Sequence, residues 1–487
     1  MNQKIEKWVL GGIAVAFGLY VVLRAWILPV TVDEAATAIN HVPRVVFDTL
    51  FYQKEANPNN HILNTLLIKI CTGIFGWHHF VLRLPVMIGA FFYAWASVHL
   101  VRKIAENTYV RVFALLLLFG NPYLLEFFSL ARGYGLAAGL MTAALWHAWC
   151  FLESNESKSL RLAMIFGGLA VYANFTLLIF FAPFAFLLLL ASWQLNPTLL
   201  AFWKQSKPGL ITFGVFTLLW IAPLKNLSKD SEIVNWNDLG SYFDSIQRTI
   251  RSAIHANAYL GTSSDIFLTW LAILGTFAVG GIAILKCWKN KFQLGTDPRI
   301  FLVLLILGAA VTNVAQVYLT KTPYLQSRLA LFYWPLFALS LAVGTAWVYE
   351  RFGLKKSWFV MAPLLLILLI NNVRTVNLYN SFEWYHDSDT FTVLEFLKKT
   401  NVAEGRSEPF SFETEWFMQN SFIYHLEKGN YGYDKYVKQV PFHGPRPPQK
   451  DTDFYYAVNY DVVKDVLDVY DIVLRVPNSS MILLRKK

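Results

Sequence analysis

Charge is scarce in this chain. Asp, Glu, Lys and Arg make up 15% of its 487 residues, against about 25% in soluble domains. A shortage this large excludes an ordinary soluble fold, and the 55% of hydrophobic residues and mean hydropathy of +0.41 agree with that. Acidic residues are fewer than basic ones, which leaves a net charge of +10. The Lys and Arg are scattered between apolar runs and form no basic stripe of the kind phosphate-backbone binding needs, so nucleic acid is excluded as a partner. Only three cysteines are present, Cys71, Cys150 and Cys287. They stand singly in or beside apolar runs with no CxxC or Cys/His spacing, which excludes a disulfide framework and a zinc site. Repeats and low-complexity tracts are also missing; Gly444-Pro445-Arg446-Pro447-Pro448 reads as an exposed loop.

What is abundant is the long apolar run. The first, Trp8 to Val30, can cross a bilayer, for which about 20 apolar residues suffice. It exceeds a signal h-region and reads as an uncleaved anchor. Further runs lie near 81–101, 112–128, 134–152, 162–193, 209–224, 266–285, 300–319, 329–348 and 357–371. The run 162–193 is too long for one straight span, and Tyr172-Ala173-Asn174 with Pro183 divides it, so about eleven transmembrane helices are expected. With the N-terminus cytoplasmic, the inner segments hold sixteen Lys and Arg against six Asp and Glu, as the positive-inside bias requires. The expected location is a multi-pass cell (inner) membrane.

Segment 31–80 reads as an outer interfacial segment, with apolar positions at helical spacing in 34–52 and a short apolar helix over 63–75. A span over 62–76 is the alternative. Segment 225–265 reads as an outer loop. Residues 1–373 therefore form a transmembrane domain. From 374 to 487 the composition turns to Tyr, Asp, Glu and Lys, which predicts a small extracytoplasmic α/β domain. Its strands are expected at 454–458, 472–474 and 481–484, and its helices at 392–400 and 460–466.

In this topology four polar clusters fall on the outer face. These are Asp33-Glu34; Asn57-Pro58-Asn59-Asn60-His61; Glu126 with Arg132-Gly133-Tyr134; and Tyr324-Leu325-Gln326-Ser327-Arg328. Polar groups near lipid are costly unless paired or lining a wet cavity. Two arginines among such clusters suit an anionic, lipid-linked substrate, because the guanidinium fork donates parallel charged hydrogen bonds to phosphate. Each has a plainer reading: the carboxylates as a helix stop, the arginines as headgroup anchors, His61 as a helix-start residue, and Arg83 as the entry of a span.

The ordered set Asp33-Glu34, Asn59-Asn60-His61-Ile62-Leu63-Asn64, Phe75-Gly76, Arg83-Leu84-Pro85, Ala131-Arg132-Gly133-Tyr134 and Ser327-Arg328 with Pro335 resembles the GT-C fold of integral membrane glycosyltransferases. Within it, the protein-mannosyltransferase and aminoarabinose-transferase branch is the most similar. The likeness covers roughly 25–350. It departs at Asn60-His61, where aminoarabinose transferases carry Lys-Pro, and at Arg328-Leu329, where Arg-Tyr is usual. The resemblance implies a glycosyltransferase that moves a sugar from a polyprenyl-phosphate donor to an acceptor hydroxyl on a glycan, lipid or protein, at the outer face and with inversion. Asp33 would be the catalytic base. Glu34, Asn60, His61, Arg132, Tyr134, Tyr324 and Arg328 would contact substrates. A divalent metal at Asp33 and Glu34 is left open, since some members of the fold use one and others do not. The competing readings are a lipid-linked sugar flippase, which needs ionisable groups at mid-membrane, and a polysaccharide polymerase or ligase.

Overall fold

The computed structural model describes residues 3–53, 59–227, 240–254, 261–291, 293–440, 452–458 and 466–487. Eight of its helices are long and apolar enough to cross a membrane. They are α1 (Gln3–Ile27), then α5 (His79–Ile104) after the short α2 (Val32–Ala36), α3 (Val46–Phe51) and α4 (Ile62–Phe75). After α6 (Thr108–Phe119) and α7 (Pro122–Phe127) comes α8 (Gly133–Ser154). The shorter α9 (Ser157–Ala173) precedes α10 (Leu178–Leu195) and α11 (Leu199–Leu227). The amphipathic α12 (Tyr242–Ala253) leads to α13 (Thr262–Lys289), α14 (Pro298–Thr320) and α15 (Tyr333–Thr375). Helix α15 breaks at Gly353, where a φ of 78° leaves the helical region and favours a residue without Cβ. The two limbs of α15, the shorter α9 and the α6–α7 pair occupy the remaining apolar runs, so eight helices of spanning length stand where about eleven were expected.

Apolar side chains cover the outward faces of the bundle: Leu218, Phe277, Phe359 and Val373 are all exposed. A soluble protein would not leave this much apolar surface in water. Inside, α5 and α8 approach backbone to backbone. A Cβ on Gly139 would lie 2.0 Å from the Gly89 carbonyl oxygen, and one on Gly89 would lie 2.6 Å from the Leu136 Cα. Small residues at such crossings let helices pack closely where no hydrophobic force drives them together.

The run 162–193 divides at Asn174, whose side chain accepts from Thr176 N–H at 3.1 Å. Helix α4 lies along one end of the bundle and does not cross it. Asn59, just before it, contacts Arg132, and Trp77, just after it, packs against the apolar cluster that includes Val30 and Ala131, so both flanks sit at that same end. The stretch 34–52 is helical in pieces: α2, a π-turn at Thr37–His41, and α3. At the opposite end, Glu6 binds Arg111 (2.7 Å) and Lys103 binds Glu153 (2.8 Å).

The last part of the chain carries a five-stranded sheet of order β2-β1-β3-β5-β4. Its strands are β1 (Phe410–Thr414), β2 (Val437–Gln439), β3 (Phe454–Val458), β4 (Tyr470–Arg475) and β5 (Met481–Lys486). Pairing of β1 with β2 and with β3 is parallel; β5 runs antiparallel to β3 and β4. Phe412, Phe454 and Leu483 pack with Val393, Leu394 and Leu397 of α16 (Thr390–Ala403). The three expected strands and the helix at 392–400 are present, and β1 and β2 add to them. The helix expected at 460–466 and the loop at 444–448 fall almost wholly or wholly outside the described residues.

Replacing Gly139 by Leu should separate α5 from α8 and lower the thermal midpoint of the detergent-solubilised protein sharply. The same change at Gly12, which has open space around it, should be tolerated; equal tolerance at both sites would refute the close-packing account.

Candidate active site

The site forms where α1 ends. Three backbone carbonyls there, of Ala25, Leu28 and Pro29, accept hydrogen bonds from the Arg83 guanidinium at 2.7–2.9 Å. The other two Arg83 N–H groups bind Glu34, Nε to Oε1 at 2.9 Å and Nη2 to Oε2 at 2.8 Å. All five donors are thus satisfied, which a buried guanidinium requires. Glu34 accepts two further bonds, from Thr31 N–H (2.9 Å) and from Ala131 N–H. Burial works to raise the Glu34 pKa, but Arg83 and the two backbone donors outweigh it and hold the carboxyl below its ordinary value.

That network places neighbouring side chains. Asp33 precedes Glu34 on α2 and turns outward, with its side chain 22% exposed. Arg132 follows Ala131 and is buried. Its Nη2 lies 3.4 Å from Asp33 Oδ2, and its Nη1 donates to Thr37 Oγ1 at 3.2 Å and to the Asn59 carbonyl at 3.3 Å. Asn59 Oδ1 also accepts from Arg132. Arg328 reaches the same carboxylate from the turn before α15, Nη1 to Asp33 Oδ2 at 3.8 Å. One carboxylate and two guanidinium groups from three distant segments therefore meet in one place, called the hollow below. Beside Arg328, a small, mostly apolar recess is lined by Tyr134, Ala138, Asn174, Thr176, Leu177 and Phe332.

The remaining sequence candidates take other places. Glu34 is consumed by Arg83 and two N–H groups, so the expected substrate or metal contact is corrected to a structural one: no lone pair faces the hollow. Asn60 is buried, with Nδ2 donating to the Thr49 carbonyl (3.3 Å) and Oδ1 accepting from Thr65 (2.9 Å); it ties α3 to α4. His61 is buried edge-on against Tyr134, with centroids 4.8 Å apart. Burial, then the positive Arg132 and Arg328, push its pKa well below the ordinary value. Tyr134 faces the cleft beside Arg328. Tyr324 packs its ring on Tyr242 of α12 at 6.0 Å, one step removed from the hollow. Asn57 and Pro58 lie outside the described residues. Among the described residues no three His, Cys, Asp or Glu converge to hold a metal ion, and Asp33 meets two guanidinium groups.

Sequence reasoning missed the contribution of 377–387. Arg24 donates to the carbonyls of Asn377 and Asn380, and Glu126 accepts from Phe382 N–H (3.0 Å). Glu383 then binds Arg328 and Tyr123, and the Arg328 guanidinium lies 5.2 Å from the Trp384 ring centroid. Asp387 accepts from Val32 N–H at 2.8 Å. The one available signal was the density of aromatic and ionisable residues just past the last apolar run. Further on, Val30 N–H donates to His425 Nε2 (3.3 Å) while His425 Nδ1 donates to the Ser421 carbonyl (2.7 Å). That arrangement needs a neutral ring, and burial lowers the His425 pKa to about 4.

No family model matches this chain, and no curated protein matches it. Among solved structures, it is similar to ArnT from Cupriavidus metallidurans in the apo state, at 10% identity and a TM-score of 0.49, over 97% of this chain and 96% of that one. The form of that protein bound to undecaprenyl phosphate gives 10% identity, a TM-score of 0.46, and 97% of each chain. The archaeal oligosaccharyltransferase AglB from Archaeoglobus fulgidus, in complex with an inhibitory peptide and a dolichol-phosphate, gives 12% identity and a TM-score of 0.45. The match covers 87% of this chain and 64% of AglB, so the chain spans under two thirds of that protein's length.

Glu34→Gln should leave Arg83 buried without its counter-charge and cost about 3–5 kcal/mol of stability, read as a large fall in thermal midpoint; a wild-type midpoint would refute the network's role. His425 should make stability pH-dependent. Its folded pKa lies below the unfolded value near 6.5, so its contribution is complete above about 6.5 and is lost as pH falls toward about 4. His425→Gln should flatten the fall in thermal midpoint over that window; an unchanged slope would remove His425 from the effect.

Proposed function

We propose that this protein is a membrane glycosyltransferase of the GT-C type that takes its sugar from a polyprenyl-phosphate carrier. The observation carrying this reading is the convergence of Asp33, Arg132 and Arg328 at one end of an apolar helix bundle. The ordered motifs resembling that fold run through the same residues. In this reading the site faces the extracytoplasmic side, 1–373 is the membrane-embedded unit, and 374–487 is an extracytoplasmic unit that closes the hollow.

Asp33 is the general base. It is the carboxylate that the Glu34–Arg83 pair leaves facing Arg132 and Arg328. It takes the proton of the acceptor hydroxyl as that oxygen attacks the anomeric carbon from the face opposite the phosphate. The carbon–oxygen bond to phosphate breaks, its electron pair leaves with the phosphate, and the sugar inverts. Arg132 and Arg328 stabilise the charge gathering on the departing phosphate; such fixed donors are most effective where water is excluded. Arg132 is pre-set for this by Thr37 and Asn59. Tyr134 flanks Arg328 at the phosphate end of the carrier. Asn60 and Glu34 hold the frame, and His61 supports Tyr134.

The test is transfer from radiolabelled polyprenyl-monophosphate sugars in membranes. Asp33→Asn should lower turnover by at least about 10²-fold, as loss of a general base does, with the thermal midpoint and donor binding retained. Full activity would remove Asp33 from the mechanism. Arg328→Ala should raise the KM for donor and lower kcat; unchanged values would make Arg328 a headgroup anchor. Binding without any transferred product, joined to sugar-lipid movement across liposomes, would favour a flippase.

A further inference from the structure

The pairing of Arg328 with a carboxylate from beyond the last long helix goes further than this reading, on which it rests. Glu383 Oε2 accepts from Arg328 Nη1, and its Oε1 accepts from the Tyr123 hydroxyl. Glu383 cannot swing far from the hollow. The neighbouring Phe382 N–H is held by Glu126 (3.0 and 3.3 Å), which is itself 3.3 Å from the buried Arg24. On the other side, the Trp384 ring carries the Arg328 guanidinium. Any phosphate gripped by Arg328 therefore lies beside a second, fixed carboxylate.

The two guanidinium groups of Arg132 and Arg328 are already matched by Asp33 and Glu383. A phosphodiester adds one negative charge. A phosphate monoester adds two once its second proton is lost, at a pKa of about 6. Coulomb energy follows the product of the charges, so Glu383 repels the monoester about twice as strongly in energy as the diester. We propose that Glu383 is a charge-selecting residue: it lets the site hold the singly charged phosphodiester of a sugar donor and weakens its hold on the doubly charged monoester that transfer leaves behind.

The reaction itself throws this switch. Bond cleavage leaves the electron pair on the phosphate while the acceptor proton goes to Asp33, so the charge of the hollow is unchanged at that moment. When Asp33 returns the proton to water, two carboxylates face a dianion and the spent carrier is expelled. Tyr123 tempers the effect by sharing the charge of Glu383.

The test is equilibrium binding to the detergent-solubilised full chain at pH 8. The probes are undecaprenyl monophosphate and its methyl phosphodiester, which share a tail and differ by one charge. Glu383→Gln should tighten both, the monoester by about the square of the factor for the diester, for example about tenfold against about threefold. At pH 5.5, where the monoester is mostly singly charged, the two factors should converge. Tyr123→Phe should act oppositely, weakening the monoester more than the diester, and it decides the matter if Glu383→Gln does not fold. Weaker binding of both lipids by Glu383→Gln, or equal factors at pH 8, would overturn charge selection and leave Glu383 as a residue that orients Arg328. The underlying phosphate reading fails separately, if the wild-type protein binds neither lipid or if Arg328→Ala binds both unchanged.

Discussion

The site depends on one buried ion pair. Burying a guanidinium and a carboxylate costs several kcal/mol per ion after relaxation, and the pair Arg83–Glu34 offsets this by leaving no polar atom of either group idle. Arg83 also sits at the C-terminal end of α1, on the Ala25 carbonyl and the two that follow the helix, where the helix dipole favours a cation. One interaction therefore ends the first long helix, attaches it to α5, and reaches across to Ala131 at the head of α8. Because Asp33 and Arg132 are chain neighbours of Glu34 and Ala131, their meeting follows from that network. The carboxylate that is used up sets the direction of the carboxylate that is free.

The second constraint comes from the far end of the chain. Residues 377–387 run across the ends of α1 and α7 and leave Glu383 and Trp384 against Arg328. Ser421 and His425 then brace Val30 from the sheet-bearing part. The hollow is thus walled by both parts of the chain.

Much of this was legible in the residues. Span ends are marked by polar clusters because charge is costly inside a bilayer, so Asp33, Arg132 and Arg328 could be placed at one end of the bundle before any coordinates. The break at Asn174, the lying helix at 62–75 and three strands were equally readable from length and alternation. Other placements were decided by packing. Asp33 and Glu34 are adjacent, and successive residues on a helix point about 100° apart, so composition could not say which faced the protein and which the hollow. Asn60 and His61 sit in a polar cluster yet serve packing, because buried amides and rings must find partners wherever the chain turns. Tyr324 belongs to the right turn but leans on Tyr242. Strands β1 and β2 are short and lack a clear alternating signature.

The order of apolar runs and the charges at their ends determined, unaided, that this is a many-helix membrane protein with ionisable groups gathered at one face. Those are local properties: the length that spans lipid, and the cost of a charge within it. Which carboxylate is free, which arginine is spent on backbone carbonyls, and that a glutamate some fifty residues downstream completes the grip of Arg328 were decided only by tertiary structure. Partnership among buried charges is settled by distances between segments remote in the chain, and no local pattern encodes those distances.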